Sequence, residues 1–535
     1  MATGVPGNIL TAITPRALLT PKMSAADAAR LARQGTFGPT ADTVAHISSI
    51  GAERWISEQF NSSGSSYSEF TLPLPLNYCK DYNCYRARRT REQVAMRFYQ
   101  NAISSPDQLR QRVALALAQL MVTSMQGVDD AAGMAAYQQI FLDQAFGNYR
   151  GIMDAVTRSG YMGEYLDMAN SNKSMPSENY AREMLQLFSM GPFRLNADGT
   201  VQRDTRGAAI DNYSPHDVKS IARSLTGWTH AHINNGAVTD YNSRDYTKPM
   251  SPVPWNYDSS AKVFLRTSVP AGAPQKASVD AAIDAAFNDP STPPHVARYL
   301  IQQLVTSNPS PAYVSRVSAA FSNNGENVRG DMKAVVRAIL LDPEARAPSA
   351  APEFSGKVKE PILLLTSIAR ALGMTTDGVV FQDWDQPLGQ PVFLSASVFN
   401  FYPPDFPLRG GTNLVSPASK LMTAGQIALR SQLAYNWTIG ARSPRPEFSV
   451  RPAIANATGT TIDWTSWEAV GSDFDALADR IDLLLMSDPM TTSQRSALKD
   501  NWDTITDPDP RLQSRKRASA ALYIVFSSPQ FQVDR

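Results

Sequence analysis

Pro176-Ser-Glu-Asn-Tyr-Ala-Arg-Glu-Met-Leu-Gln-Leu-Phe188 is the stretch whose reading decides the fold class. At about 100° per residue, Glu178, Asn179, Arg182, Glu183 and Gln186 fall within an arc of roughly 140°. Tyr180, Ala181, Met184, Leu185, Leu187 and Phe188 take the remainder. The spacing predicts an amphipathic helix with a crowded polar face.

The next stretch, Tyr213-Ser-Pro-His-Asp-Val-Lys-Ser-Ile-Ala-Arg-Ser-Leu-Thr-Gly-Trp228, predicts a second helix. Ser214 stands at the N-cap, Pro215 at the first helical position and Asp217 where a capping carboxylate belongs. The two stretches together resemble the bacterial proteins grouped as "domain of unknown function 1800". Those carry an Asn-Glu-Asn-Tyr-Ala-Arg-Glu helix followed by Tyr, Asp-Val and Leu-Thr-Gly-Trp. The resemblance extends to an Ala-Arg-Leu helix with a Phe-Gly-Pro-Thr turn near residues 29–40 and to the ending Ser528-Pro-Gln-Phe. It covers about residues 24–535, and it departs at Pro417-Ala-Ser-Lys420, where many members have Pro-Glu-Phe. Such proteins are usually exported, so the resemblance implies an extracytoplasmic protein, periplasmic or secreted, with a leader absent from this sequence. The N-terminus as written has neither the basic start nor the apolar core of a signal peptide.

Nearly every other apolar run also has helical spacing, so the fold expected is mainly α: one large multi-helical domain with long ordered loops. The Asp198-Gly199 step within Arg194–Gln202 is the sole clear hairpin signal. Residues 1–23 read as a tail and 24–535 as the helical domain, with long loops at about 229–262 and 383–417. No Gly/Ser linker or charge block divides the chain. Its 37 prolines suit many irregular connections, and a net charge of +1 provides no global field for nucleic acid or an anionic membrane. No run approaches the roughly 18 apolar residues of a membrane span. The partner expected is an extracellular polymer or an envelope component.

Named catalytic and nucleotide motifs are missing, and five histidines in the chain make a multi-histidine metal centre a poor expectation. No cofactor is expected. Asn196, Asp198 and Asp204 offer closely spaced oxygens for calcium, but the loop pattern with its terminal Glu is absent and the hairpin reading is preferred. Cys79 and Cys84 are the two cysteines. In the exported setting that the resemblance implies, a local Cys79–Cys84 disulfide is the expected state.

The candidate site is the polar face of the central helix with its neighbour. Glu178 and Arg182 form an i, i+4 pair in the favourable order. Glu183 has no such partner in its own helix. Packed against the Ser214 helix, Glu183 and Asp217 would form a carboxyl pair, with Arg182 holding one ionised and burial raising the other, the split that acid and base roles need. Asn179, Gln186, His216, Trp228, His230 and Tyr402 are the candidate substrate-binding residues. His230 and His232 also read as exposed loop histidines, and Gln108, Arg112 and Gln119 as a stripe that is either a solvated face or faces Glu178 or Glu183. Three functions follow: a hydrolase or lyase on an extracellular polymer, polysaccharide favoured; a non-catalytic envelope binding or assembly protein; and a metal-dependent oxidoreductase, disfavoured by the histidine count. A buried structural network that fixes the two helices is the alternative account of the same residues.

Overall fold

A computed structural model describes residues 23–71, 81, 84, 90–232, 244–346, 354–410 and 413–535. The expected tail, residues 1–22, and Cys79 lie outside the described residues. Helices form the body of the molecule, and among the described residues strands occur in two-stranded antiparallel pairs alone, each strand two or three residues long. One hydrophobic core runs from Ala28 in the first helix, Ala25–Gly35, to Phe531 near the C-terminus. The fold is therefore mainly α, with more small strand pairs than the single hairpin the sequence predicts. The expected hairpin is present: Leu195 bridges Val201, and Asn196 and Thr200 pair across the Asp198-Gly199 turn.

Helix starts follow local chemistry. Ser24, Thr40, Asp130, Ser310 and Asp331 each accept a hydrogen bond from a backbone N–H of the first turn they cap. The central helix is Asn179–Gln186, shorter than the periodicity suggests, because residues 171–178 form a turn whose Ser171 Oγ accepts from Ser177 N. Its apolar face is fixed by Tyr180, whose hydroxyl meets Thr157 Oγ1 at 2.7 Å inside the core. The neighbouring helix, Pro215–Ser224, starts in a complete capping box, with Ser214 and Asp217 bonded reciprocally.

The Leu225-Thr-Gly-Trp228 ending has a physical reason at each position. Leu225 is 2% exposed. Thr226 Oγ1 donates to Arg223 O and accepts from Asp258 N, which ties the 258–261 turn back to the helix end. Gly227 has φ of 82°, and a Cβ there would lie 2.8 Å from the Tyr257 backbone nitrogen, so only glycine fits. Trp228 turns inward, with the Arg158 guanidinium 5.5 Å from its ring. At the far end of the chain, Val533–Asp534 pairs with Lys357–Val358. Gly356 has φ of 108° there, and a Cβ would run into the Asp534 carbonyl.

The expected loop 229–262 is more structured than its polar composition suggests. Trp228–Thr229 pairs with Ser251–Pro252, and Ala231–His232 with Arg244–Asp245. Residues 233–243 lie outside the described set. Lys262–Phe264 and Thr267–Val269 then form a hairpin packed on the Pro215–Ser224 helix.

Candidate functional site

On the central helix, Glu178 and Arg182 form the expected ion pair, 3.0 Å apart and largely exposed. Asn179 Nδ2 donates to Asp167 Oδ2 at 3.0 Å, and Tyr213 OH donates to Gln186 Oε1 at 3.4 Å. Glu183 departs from this surface pattern. It is 7% exposed, and its Oε2 is buried with no hydrogen-bond partner among the described residues. Burial pushes its carboxyl above the ordinary range, against the pull of Arg182. The half-buried Tyr165 and Tyr213 hydroxyls are pushed up by their own burial and then by the Glu183 charge, which places both near it.

Asp217 is committed elsewhere. Oδ2 accepts from Ser214 N at 2.8 Å and from Ser214 Oγ at 2.6 Å, and Oδ1 accepts from Leu265 N at 2.5 Å. Leu265 is a non-glycine residue at φ of 50° in the tight turn of the 262–269 hairpin, a left-handed position that favours glycine. Asp217 thus caps one helix and holds a strained turn against it. Partial burial pushes its carboxyl up, but the bonds from Ser214 and Leu265 outweigh that and hold it below the usual value. Among the described residues it has no hydrogen bond or electrostatic coupling to Glu183. The two carboxylates share neighbouring helices without forming a pair. His216, next to it, is exposed.

Asp217 and Leu265 line a cleft of about 330 Å³ with Arg194, Gln202, Asn212, Arg266 and Asp289. Glu183 does not line it. Asn212 Nδ2 is bonded to the carbonyls of Met190, Gly191 and Phe193, and Arg266 reaches Asp289 at 3.7 Å. Arg194 is exposed on the wall, with no ion pair among the described residues.

His230 is a correction to the reading of an exposed loop histidine. Its side chain is fully buried, with Nε2 2.6 Å from Glu164 Oε2, and Arg244 donates to the other Glu164 oxygen at 2.8 Å. The bond with His230 holds the Glu164 carboxyl below its ordinary value, against the push of burial. His230 Nδ1 and Trp228 Nε1 are buried without hydrogen-bond partners among the described residues. Glu164 was beyond sequence reasoning: it lies 66 residues from His230 and no local pattern joins them.

Tyr402 also faces inward. It is 7% exposed and donates to Glu360 Oε2 at 2.5 Å, where Gln119 Nε2 and Gln390 Nε2 donate too. Burial and the Glu360 charge keep its hydroxyl protonated. The Gln108, Arg112 and Gln119 stripe is likewise buried, and it meets neither Glu178 nor Glu183. Gln108 accepts from Phe37 N, Arg112 donates to Gln303 O, and Gln119 joins Glu360. The oxygens considered for calcium satisfy backbone turns: Asp198 accepts from Thr200, and Asp204 from Arg206 and Ala208. Among the described residues no three His, Cys, Asp or Glu side chains converge as metal ligands. The Cys79–Cys84 pairing falls outside the described residues, since Cys79 does. No described helix is long and apolar enough to cross a membrane.

The family model described as "Protein of unknown function (DUF1800)" matches residues 30–533. No curated protein and no solved structure matches the chain.

Proposed function

The chain belongs to the DUF1800 family, whose description names no reaction, and from its geometry we propose a non-catalytic extracytoplasmic protein that binds a polar polymer, polysaccharide favoured, in the Arg194–Asp217 cleft. The observation that carries this reading is the state of Asp217. Its carboxylate is fixed by Ser214 and Leu265 and held ionised on the wall of a polar cleft, so it offers oriented charge without an exchangeable proton. Exposed Arg194, with part-buried Gln202 and Asp289 beside it, adds planar donors and acceptors of the kind that recognise hydroxyls and acidic groups.

The test is affinity electrophoresis and calorimetry against a panel of neutral and acidic soluble glycans, with product analysis by mass spectrometry. A bound glycan, unshortened after long incubation, is the expected result. Arg194→Ala should weaken it about tenfold, or ~1.4 kcal/mol, without moving the melting temperature. No binding across the panel, or binding indifferent to Arg194→Ala, would remove the cleft from the account.

A hydrolase or lyase is the second reading, and Glu183 is what favours it. A buried carboxyl with an unpartnered oxygen and a raised pKa, near two tyrosine hydroxyls, is the environment of a general acid. Chain shortening by wild type that Glu183→Gln abolishes at unchanged stability would establish this reading over the binding one.

A further inference from the structure

Beneath the loop at 392–401 lies a second cavity, which shares no lining residue with the Arg194–Asp217 cleft. It is open to solvent, has a volume of about 50 Å³, and takes an apolar lining from Phe98, Leu115, Val122, Phe393 and Phe401. The loop is held over it at a backbone cost. Phe393 has φ of 67° and Asn400 φ of 63°, and for a side chain as bulky as Phe393 the left-handed region is an outlier of the kind that gathers at ligand sites. Met125 N donates to Phe393 O at 2.9 Å, Ser395 Oγ to Thr123 O at 3.2 Å and Gln126 Nε2 to Leu394 O at 3.2 Å, which ties the loop to residues 123–126. The Phe98 and Phe393 rings meet edge to face at 5.9 Å.

Two polar side chains of the lining are left incomplete. Gln119 and Thr123 are each 7% exposed and both line the cavity. Gln119 Nε2 donates to the Glu360 carboxylate at 3.0 Å, which fixes the orientation of the amide and leaves Oε1 as an acceptor. That oxygen and Thr123 Oγ1 are buried with no hydrogen-bond partner among the described residues. Buried polar atoms are rarely left so, and two of them beside one apolar cavity suit a ligand that has a donor, an acceptor and a hydrocarbon surface.

We infer that this cavity binds the acetamido group of an N-acetylated sugar in a polysaccharide. At roughly 10–15 Å³ for each water-sized particle, it holds about four non-hydrogen atoms, the size of an N-acetyl group and too little for a sugar ring. The N–H of that group donates to Gln119 Oε1, its carbonyl accepts from the Thr123 hydroxyl, and its methyl packs on the phenyl walls. Water alone would answer the two oxygens and gain nothing from the rings, whereas the acetamido group uses both. The sugar as carrier rests on the glycan reading proposed above. Phe399 supports it: 48% exposed and next to Asn400 of the lining, it presents an aromatic face outside the cavity for the pyranose ring.

Calorimetry on the full chain compares tri-N-acetylchitotriose with cellotriose, which has the same linkage and a hydroxyl in place of each acetamido group. The acetylated trisaccharide should bind about tenfold more tightly, and Thr123→Val should weaken it about fivefold, the worth of one hydrogen bond. The melting temperature should not fall in this variant, because the Thr123 hydroxyl has no partner to lose among the described residues. No binding of the acetylated trisaccharide, or a preference that Thr123→Val leaves intact, would overturn the site. Equal affinity for the two trisaccharides would overturn it as well, while leaving the Arg194–Asp217 cleft as the place where both bind. Saturation-transfer NMR on wild type gives a reading independent of the variant: the acetyl methyl should receive the strongest saturation, and strongest saturation on the ring protons would contradict its burial. An acetyl-lysine peptide that binds as tightly as the trisaccharide would remove the sugar from the proposal.

Discussion

The polar face of the central helix and the charged cluster around Asp534 use the same residue types in opposite ways. On the central helix Glu178 pairs with Arg182, and at the start of the neighbouring Pro215–Ser224 helix Ser214 pairs with Asp217, partners three or four residues apart, and the Glu178–Arg182 pair stands in solvent. In the cluster, Lys359 meets Asp534 across 175 residues of chain, and Arg430 meets Gln532 across 102, all of them buried. A screened local pair contributes little to stability and is free to serve a ligand. A desolvated long-range pair holds distant segments together, and it is costly to break because its surviving member stays buried.

The largest effect should therefore come from Asp534→Asn. It leaves the buried Lys359 ammonium without its carboxylate and should cost about 3–5 kcal/mol by urea unfolding. A loss below ~1 kcal/mol would make the cluster as forgiving as the surface and erase the contrast.

The second expected effect is in pH. Burial, with Arg112 adding to it, lowers the folded-state pKa of Lys357 to about 8 from 10.5, while Glu360 and Asp534 oppose the shift. Between these values the unfolded chain binds more protons than the folded one, so stability should rise as pH increases through that window. Below about pH 8 both states are protonated and the group adds no slope. Lys357→Met should flatten the rise between pH 8 and 10 in urea titrations; an unchanged slope would assign it to other groups.

Smaller changes belong to the helix face. Asp217→Ala removes a cap and the acceptor of the Leu265 turn, for about 1–2 kcal/mol. Arg182→Ala should cost no more than roughly 0.5 kcal/mol in the same unfolding assay. If the order of these two were reversed, the ion pair would be the structural element and the cap the dispensable one.

What the sequence reveals follows the same division. The Ser214–Asp217 box, the Pro215 start, the Gly227 stop and the Glu178–Arg182 pair are local patterns, and each is found where spacing puts it. Periodicity also identifies the buried face of the central helix and the mainly α fold. It does not tell what covers a polar face. Gln108, Arg112 and Gln119 read as a stripe either open to solvent or facing Glu178 or Glu183, yet Phe37, Gln303 and Glu360 arrive from distant segments to cover it. His230 reads as exposed because nothing near it in sequence announces Glu164, and Tyr402 reads as a substrate-binding residue because Glu360 lies 42 residues before it. Asp217 was legible as a cap, but its second bond, to Leu265, depends on a hairpin 48 residues on. That second bond is what separates it from Glu183.

The account's central claim is that Glu183 and Asp217 act independently, and a double-mutant cycle of Glu183→Gln and Asp217→Asn measures this directly. Unfolding free energies of wild type, both single variants and the double variant give the coupling between the two side chains. Additivity within about 0.5 kcal/mol is the predicted result, since among the described residues the Asp217 carboxylate takes its hydrogen bonds from Ser214 and Leu265 and none involves Glu183. A coupling above ~1 kcal/mol would contradict it and restore the carboxyl pair.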